Sequence, residues 1–354
     1  IAAQVGTGNL VGAMTALIMG GPGAIFWMWL AALAGMATNF AEACIAQVYK
    51  TKDNSGQTVG GPAYYIAHGL NQRWLSILFS ISLIFCFGFV YNSIQANTIV
   101  QAVQSAAGMT TVHGVSEEVW DNYKHGIAAV LVIASAPIIF GGVKRVARVS
   151  EAIVPMMALM YIGVALYVIA TNLGEIPRVI GLIFEDAFTF KAAGGGLLGG
   201  LVSQSMMLGI KRGLFSNEAG QGSAPNAAAS ADVKHPASQG LIQMLGVFVD
   251  TIIVCSATAF IVLLAQMPHN PDLSGIQMTQ AALETHIGPW AQTFLAVVLF
   301  MFCFSSIIGN YAYAESNVQF IKSHWLLTAL FRMMVLGWVY FGAVANVPLV
   351  WDMA

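Results

Sequence analysis

Two stretches of glycine and polar residues interrupt apolar segments of this chain. In the first, residues 5–9, Gly6 and Gly8 flank Thr7, and Gly12 follows shortly after. Glycines spaced two apart weaken a helix locally, and unwinding frees backbone N–H and C=O groups that lipid cannot satisfy. Freed N–H groups suit a carboxylate, and freed carbonyls suit Na⁺. Glycines that let two helices pack closely would give the same pattern.

The second stretch, residues 211–225, places charges, glycines and Pro225 inside another apolar run. Ionisable groups at membrane depth are costly and face cavities or partners. An aqueous loop between two spans would leave residues 226–232 as a flank too short to cross a bilayer. A single discontinuous helix over about 195–232 therefore fits the sequence better.

Polar pairs inside the uncharged runs are further candidates. Ser305 and Ser306 are adjacent and could supply oxygens to a small hard cation, although serines in membrane helices commonly bond to their own backbone. Gln95 and Asn97 form a second pair, for which hydrogen bonding between helices is an equally simple explanation.

Few ionisable residues lie inside the apolar segments. Asp250 is the deepest of them and is a candidate ion ligand or buried partner. Glu42 and Glu315 lie toward helix ends, where solvated carboxylates are expected. The histidines fall in loops or near helix ends, and the four cysteines lie singly in apolar segments. Walker, HExxH and GxSxG motifs do not occur, so the sequence does not support an ATP-driven pump, a hydrolase or a metal cofactor.

Composition defines the elements that must position these residues. Charged residues make up 8% of the 354 residues, against about 25% in a soluble domain, and mean hydropathy is +0.73. The net charge of -2 without a basic stripe excludes a nucleic-acid binder, and the apolar content excludes soluble and disordered chains. Uncharged runs of the length of a bilayer span occupy residues 1–41, 74–116, 125–143, 152–174, 192–210, 251–271, 285–314 and 333–351.

These runs predict an all-α polytopic membrane protein. The nine predicted membrane helices cover about 1–20, 24–49, 74–106, 125–140, 152–172, 195–232, 237–266, 289–321 and 325–345, and the first and sixth are broken. Residues 175–190 predict an interfacial amphipathic helix. Basic residues follow the even-numbered helices, which should therefore end in the cytoplasm. The chain begins inside an apolar segment and ends without a clear stop, so we expect a fragment truncated at both ends.

Four segments resemble one family. Residues 5–9, 20–29 (GGPGAIFWMW), 60–65 (GGPAYY) and 212–225 (RGLFSNEAGQGSAP) are similar to the alanine or glycine:cation symporters, the sodium:alanine symporter family. The resemblance covers nearly the whole chain. It implies a leucine-transporter-like fold with five-plus-five inverted repeats and discontinuous helices one and six. One transporter domain would span 1–354, with a first repeat at about 1–172 and an incomplete second repeat at about 195–354.

The resemblance also implies a substrate site. Thr7 and Gly8 would offer backbone groups to the substrate carboxylate, and Phe215 would cap a pocket for a small side chain. Gln95 and Ser306 would lie near the substrate. Such a pocket should admit alanine, glycine or serine and exclude leucine and phenylalanine, because overpacking is unfavourable.

A sodium site is implied as well. Its ligands would be the carbonyls of Ala2 and Val5 with the hydroxyls of Ser305 and Ser306, and Asn9 matches an asparagine that holds a second sodium in the wider fold.

Four other intramembrane polar residues are candidates for the site, namely Asn217, Glu218, Asp250 and Asn310. Some family members have tryptophan where this chain has Asn310, which leaves the choice between alanine and glycine open.

The expected function is sodium-coupled symport of a small neutral amino acid into the cell by alternating access, in a multi-pass protein of the inner cell membrane. Sodium, the amino acid and the bilayer are the expected partners; no nucleic acid and no cofactor is expected. Proton coupling through Glu218 or Asp250 is an alternative within transport. A channel or a non-transporting receptor with the same fold is the alternative to a transporter.

Overall fold

The computed structural model describes residues 3–52, 56, 58–108, 117–188, 204–267 and 275–353, which are helical apart from one antiparallel hairpin and the connections. In chain order the elements are α1 (Gly8–Gly20), α2 (Ala24–Val48), β1 (Thr51–Lys52), β2 (Thr58–Val59), α3 (Pro62–Gly69), α4 (Arg73–Ala106), α5 (Glu117–Phe140), α6 (Val143–Thr171), α7 (Ile176–Ala187), α8 (Gln204–Asn217), α9 (Ala224–Ser230), α10 (Pro236–Leu264), α11 (Gly275–Ile287), α12 (Trp290–Ile321), α13 (Trp325–Val344) and α14 (Val347–Asp352).

Seven of the described helices are long and apolar enough to cross a membrane, namely α2, α4, α5, α6, α10, α12 and α13. They correspond to the seven predicted uninterrupted spans, so the prediction of a polytopic helical membrane protein is confirmed. Two boundaries were wrong: α5 begins at Glu117 rather than near 125, and α6 begins at Val143 rather than near 152. Charged residues can continue a helix beyond the hydrocarbon region, so a rise in charge did not mark either helix start.

The second predicted interruption is present, and the first is present only in part, because Gly8 and Asn9 of the predicted break at residues 5–9 lie inside α1. The predicted start of the sixth helix, residues 195–203, lies outside the described residues. Residues 3–6 form turns and bends before α1 begins, and six residues separate the end of α8 at Asn217 from the start of α9 at Ala224. Glu218, Gly220 and Gly222 in the second gap have φ values of 58°, 80° and 75°. This left-handed backbone suits glycine and ends the helix.

The helices form two groups. One contains α1, α2, α8, α9 and α10, with α2 packed along α8 and α10. The other contains α4, α5, α12 and α13, with α4 packed along α12 and α13. Residues 3–7 lie between the groups, because they contact α8 in the first group and both α4 and α12 in the second.

α7 lies within the predicted amphipathic segment 175–190, so a helix there is confirmed. It is hydrogen-bonded to the turn between α1 and α2, where the Asp186 carboxylate accepts from the Gly23 N–H at 2.9 Å. The Trp27 ring N–H donates to the Ala187 carbonyl at 3.1 Å. A Cβ on Gly23 would overlap the Ala187 backbone, so the close approach of the turn to α7 requires glycine.

The expectation that Glu315 is solvated was wrong. Its carboxylate is 2% exposed and pairs with Arg332 on α13, with Nη2 2.9 Å from Oε1 and Nε 3.1 Å from Oε2. Tyr311 donates to the same carboxylate and to the Ile139 carbonyl at the end of α5. This cluster therefore joins α5, α12 and α13 in the second helix group.

Arg332→Met should destabilise the protein by about 3–5 kcal/mol, because it leaves the Glu315 carboxylate buried without its partner. Thermal unfolding of the full-length protein in detergent measures the loss. Arg178→Met is the matched control, since Arg178 pairs with Glu175 while both side chains are about two-fifths exposed (38% and 43%), and exposed pairs contribute about 0–1 kcal/mol. Equal loss in the two variants would show that burial of the Glu315 pair is unimportant.

Candidate functional site

The turns and bends at residues 3–6, which we call the unwound segment, lead into Thr7 at the start of α1. Thr7 is hydrogen-bonded to Gln95 of α4. The Thr7 backbone N–H donates to Gln95 Oε1 at 3.2 Å, and Gln95 Nε2 donates to Thr7 Oγ1 at 3.1 Å. Both side chains are buried. The structure thus brings together two of the residues predicted to surround a substrate, and each satisfies a polar group of the other.

Ser306 of α12 contacts the same segment. Its hydroxyl oxygen lies 3.1 Å from the Ala3 carbonyl oxygen, 3.4 Å from that of Val5 and 3.0 Å from that of Phe302 in its own helix. Four oxygens therefore lie close together in a buried place. Ala2, the other predicted carbonyl ligand, lies outside the described residues.

The structure does not bring the Ser305 hydroxyl to these carbonyls. Ser305 donates to the Phe302 carbonyl at 2.9 Å, and its oxygen lies 3.7 Å from the Met157 sulfur on α6. Successive helical residues point about 100° apart, so the two neighbouring serines face different helices.

Gly6 is the point of closest approach among these elements. A Cβ at this position would overlap Ser306 Oγ and lie 3.1 Å from Gln95 Oε1. A side chain at residue 6 would therefore require Ser306 or Gln95 to move. The sequence had singled out the glycine pair, but only the packing shows why the first of them is needed.

A second polar cluster surrounds Asp250 in α10. Asn9 Nδ2 donates to Asp250 Oδ1 at 2.6 Å and to its backbone carbonyl at 3.0 Å. The hydroxyls of Ser216 and Thr251 each lie 2.9 Å from Asp250 Oδ2, and Asn217 Nδ2 donates to the Thr251 hydroxyl at 3.1 Å. These five residues, which we call the Asp250 cluster, are all buried and join α1, α8 and α10.

The Asp250 carboxylate lacks a cationic partner among the described residues. It is 0% exposed, and it lies in a π-helical segment of α10, Phe248–Cys255, of a kind that is frequent at functional sites. A buried carboxylate without an opposite charge is unfavourable unless it takes up a proton or a metal cation. The described part of the chain has no group of three or more His, Cys, Asp or Glu side chains placed to hold a metal. Any cation here would therefore rely on hydroxyl, amide and carbonyl oxygens beside one carboxylate.

Gly8 lies between the residues around Thr7 and the Asp250 cluster and packs against α8. A Cβ on Gly8 would lie 2.7 Å from the Ser216 Cα and 3.1 Å from its Cβ, so the first turn of α1 lies directly against α8. Asn9 adds a bond within the turn, since its Oδ1 accepts from the Gly6 N–H at 2.8 Å. Asn9 therefore hydrogen-bonds both Gly6 of the unwound segment and Asp250.

Phe215 of α8 lies beside the C-terminal part of the first turn of α1. Its ring centroid is 5.3 Å from that of Tyr91 on α4, with the planes at 69°. A Cβ on Gly12 would be 3.8 Å from the Phe215 ring. Phe215 therefore bridges the two helix groups next to α1.

The remaining predicted polar residues are also buried. The Asn217 carbonyl accepts from Gln4 Nε2 at 3.2 Å, and Glu218 accepts from the Ser223 hydroxyl at 2.6 Å within the break between α8 and α9. Asn310 is 1% exposed, and its Oδ1 has no hydrogen-bond partner among the described residues.

Sequence reasoning missed Ser216 as a partner of Asp250. The only available signal was a hydroxyl residue immediately before Asn217 in the interrupted segment. Its contact with α10 depends on how the helices pack.

Comparison with known proteins identifies the family of this chain. A family model described as the sodium:alanine symporter family matches residues 1–354. An "uncharacterized transporter" of Haemophilus influenzae is 53% identical over 354 residues, covering 100% of this chain and 71% of the relative. In Bacillus subtilis, the "amino-acid carrier protein AlsT" is 48% identical (100% and 72% covered), and the "probable sodium/glutamine symporter GlnT" is 47% identical (100% and 70% covered). The chain therefore belongs to the sodium:alanine symporter family and is a multi-pass membrane transporter rather than an enzyme.

Proposed function

We propose that this chain is a sodium-coupled symporter that carries a small neutral amino acid into the cell across the inner cell membrane by alternating access. The observation that carries this proposal is the group of oxygens around Ser306, next to the segment that Gln95 holds at Thr7. The family description supports alanine and sodium, and glycine and serine are further candidates. One relative's name adds glutamine to the substrates worth testing.

The proposed architecture is a leucine-transporter-like five-plus-five inverted repeat in one transporter domain, with repeats at about 1–172 and 195–354. The two interruptions support it, because each belongs to the helix that would open a repeat. The two helix groups support it too, since the unwound segment lies between them.

The substrate carboxylate would bind at the first turn of α1. Backbone N–H groups at a helix N-terminus favour an anion, and Thr7 and Gly8 occupy that place. In this structure Gln95 Oε1 accepts from the Thr7 N–H. An arriving carboxylate would compete with that oxygen, and Gln95 would then be free to bind the substrate. Phe215 would close the pocket beside α1 and limit side-chain size.

The coupling sodium would bind between Ser306 and the carbonyls of the unwound segment, with Val5 and Ala2 as backbone ligands. Ser305 could join only by turning its hydroxyl away from Met157. The Asp250 cluster, which includes Asn9, would provide a second sodium site, in which the Asp250 carboxylate balances the charge of the ion.

Ser306→Ala should raise the sodium concentration for half-maximal uptake by roughly tenfold, equivalent to about 1.4 kcal/mol, because one oxygen ligand is lost with little volume. Ser305→Ala is the matched control and should have a clearly smaller effect, since its hydroxyl bonds within α12. The measurement is radiolabelled alanine uptake against sodium concentration, with choline keeping ionic strength constant. An unchanged sodium dependence in Ser306→Ala would argue against this site.

Proton coupling is the second candidate, because Asp250 and Glu218 are buried without a cationic partner among the described residues. Uptake by the full-length protein in proteoliposomes, with sodium and pH gradients imposed separately, distinguishes the two couplings. A channel would instead show conductance without fixed coupling, and a receptor would show neither uptake nor conductance.

A further inference from the structure

Three basic side chains are grouped at the start of the spanning helix α6. Lys144, Arg145 and Arg148 lie in its first two turns, and all three are exposed. Arg145 donates to the Pro137 carbonyl in the last turn of α5 at 2.7 Å. No carboxylate of the described residues lies within 4 Å of the nitrogens of these three side chains. This group, which we call the α6 basic surface, therefore carries three positive charges without a negative partner in the described part of the chain.

The stability of α6 does not explain this grouping. Side chains three and four residues apart are neighbours on a helix, so Arg148 lies beside both Lys144 and Arg145. Like charges at these spacings are destabilising, and positive charge in the first turn opposes the helix dipole. An anion bound at the α6 basic surface would relieve both effects.

The α6 basic surface continues into the face of α6 that a bilayer would cover. Steps of three or four residues lead from Arg148 through the exposed Ala152 to Met156 and Leu159, which are 52% and 74% exposed. Residues at these spacings share one side of a helix. The cations thus lie at the end of an apolar stripe that faces lipid. Charges that only set the orientation of the chain could lie anywhere in a cytoplasmic connection, so this placement needs a further explanation.

We propose that the α6 basic surface binds the phosphate headgroup of an anionic phospholipid such as phosphatidylglycerol, while the acyl chains of that lipid lie along the apolar stripe of α6. Basic residues follow the even-numbered predicted helices, so the start of α6 should face the cytoplasmic leaflet, whose surface is negative. Guanidinium groups bind phosphate oxygens in pairs, and the Lys144 ammonium adds a compact charge. A zwitterionic lipid brings its own cation to the same place and should bind less well.

The opposite side of the same helical turns borders a cavity of about 320 Å³. Val146 and Ser150 of α6 line this cavity, and so do Ala3 of the unwound segment and Gly309 of α12. A lipid bound at the α6 basic surface would therefore hold a helix that forms one wall of a cavity beside the unwound segment.

The test measures lipid retention by the purified full-length protein. Native mass spectrometry in detergent, without sodium or amino acid, compares bound phosphatidylglycerol with bound phosphatidylcholine of the same acyl chains. The parent protein should retain phosphatidylglycerol at roughly tenfold lower lipid concentration, because each basic residue near the surface favours an anionic lipid. This preference should be lost in a triple variant that removes the α6 basic surface, Lys144→Gln with Arg145→Gln and Arg148→Gln.

A second triple variant is the matched control. It makes the same change in net charge at exposed cations of three other connections that the sequence predicts to be cytoplasmic, by Arg73→Gln, Lys234→Gln and Lys322→Gln. Because these side chains are scattered, the control should keep the preference for phosphatidylglycerol. Equal loss in the two triple variants would show attraction to positive charge in general and would overturn the proposal.

The parent protein alone can also overturn the proposal, since equal retention of the two lipids would contradict it even if the first triple variant did not fold. A preference that persists in the folded first variant would contradict it too. Displacement of phosphatidylglycerol by soluble glycerol phosphate would show recognition of a phosphate ester alone and would count against a lipid. The inference does not rest on the proposed function, and binding measured without sodium or amino acid leaves that function untouched by any of these outcomes.

Discussion

Alanine uptake should fall by about tenfold to a hundredfold when Gly8 is replaced by valine, while the amount of folded protein in the membrane persists. The cause is steric, because even a Cβ at residue 8 lies 2.7 Å from the Ser216 Cα. The first turn of α1 must then move away from α8. That movement displaces the Thr7 and Gly8 N–H groups from the proposed carboxylate site and disturbs the Asp250 cluster. Radiolabelled alanine uptake, normalised to folded protein, measures the loss.

Gly337→Ala is the control for Gly8→Val. Gly337 lies in the spanning helix α13, and a Cβ there would meet no atom within 4 Å. Its uptake should stay near the parent level. Near-normal uptake in Gly8→Val itself would contradict the assignment of the substrate carboxylate to the first turn of α1.

Asp250→Asn should raise the sodium concentration for half-maximal uptake by about tenfold or more without unfolding the protein. The new amide oxygen can still accept from Asn9 Nδ2, and the hydroxyls of Ser216 and Thr251 can turn to accept from the new NH₂ group. The hydrogen bonds are thus replaceable, and the substitution removes mainly the negative charge. Sodium titration of alanine uptake in proteoliposomes is the measurement.

The matched control for Asp250→Asn is Asp121→Asn, which neutralises a carboxylate that is 58% exposed and paired with Lys124. It should leave sodium dependence unchanged. If Asp250→Asn kept the parent sodium dependence as well, the carboxylate would serve only to hold α1, α8 and α10 together. If uptake by Asp250→Asn lost its response to a pH gradient and kept that to sodium, Asp250 would be a proton carrier instead.

The membrane spans could be predicted from the sequence because they depend on the length and hydropathy of continuous stretches of residues. Long uncharged runs specify bilayer helices by length and hydropathy. The glycines of residues 211–225 marked the break after α8, whereas of the pair Gly6 and Gly8 only Gly6 lies outside α1. The helix α11, Gly275–Ile287, lies between the predicted spans 237–266 and 289–321, where the sequence predicts no helix. It is short and of mixed polarity, and its buried face is created by packing against α1, α10 and α12.

The candidate site was predictable only in part, because pairing between distant residues is a tertiary property. The resemblance placed Thr7, Gln95 and Ser306 together, and the structure brings them to one segment. The resemblance could not show that the Ser305 side chain turns toward α6. Nor could the sequence show that Arg332 buries Glu315, since that contact depends on how α13 packs against α12.

Sodium coupling is the central claim, and the affinity for alanine tests it most directly. Linkage requires that an ion which promotes substrate binding is itself bound more tightly when substrate is present. Alanine affinity should therefore be measured on the full-length protein at constant pH, in sodium and in choline at equal ionic strength. The account predicts tighter alanine binding in sodium, with Ser306→Ala needing more sodium for the same effect. Equal affinity in both salts, with uptake driven by an imposed pH gradient, would contradict sodium coupling and favour the proton.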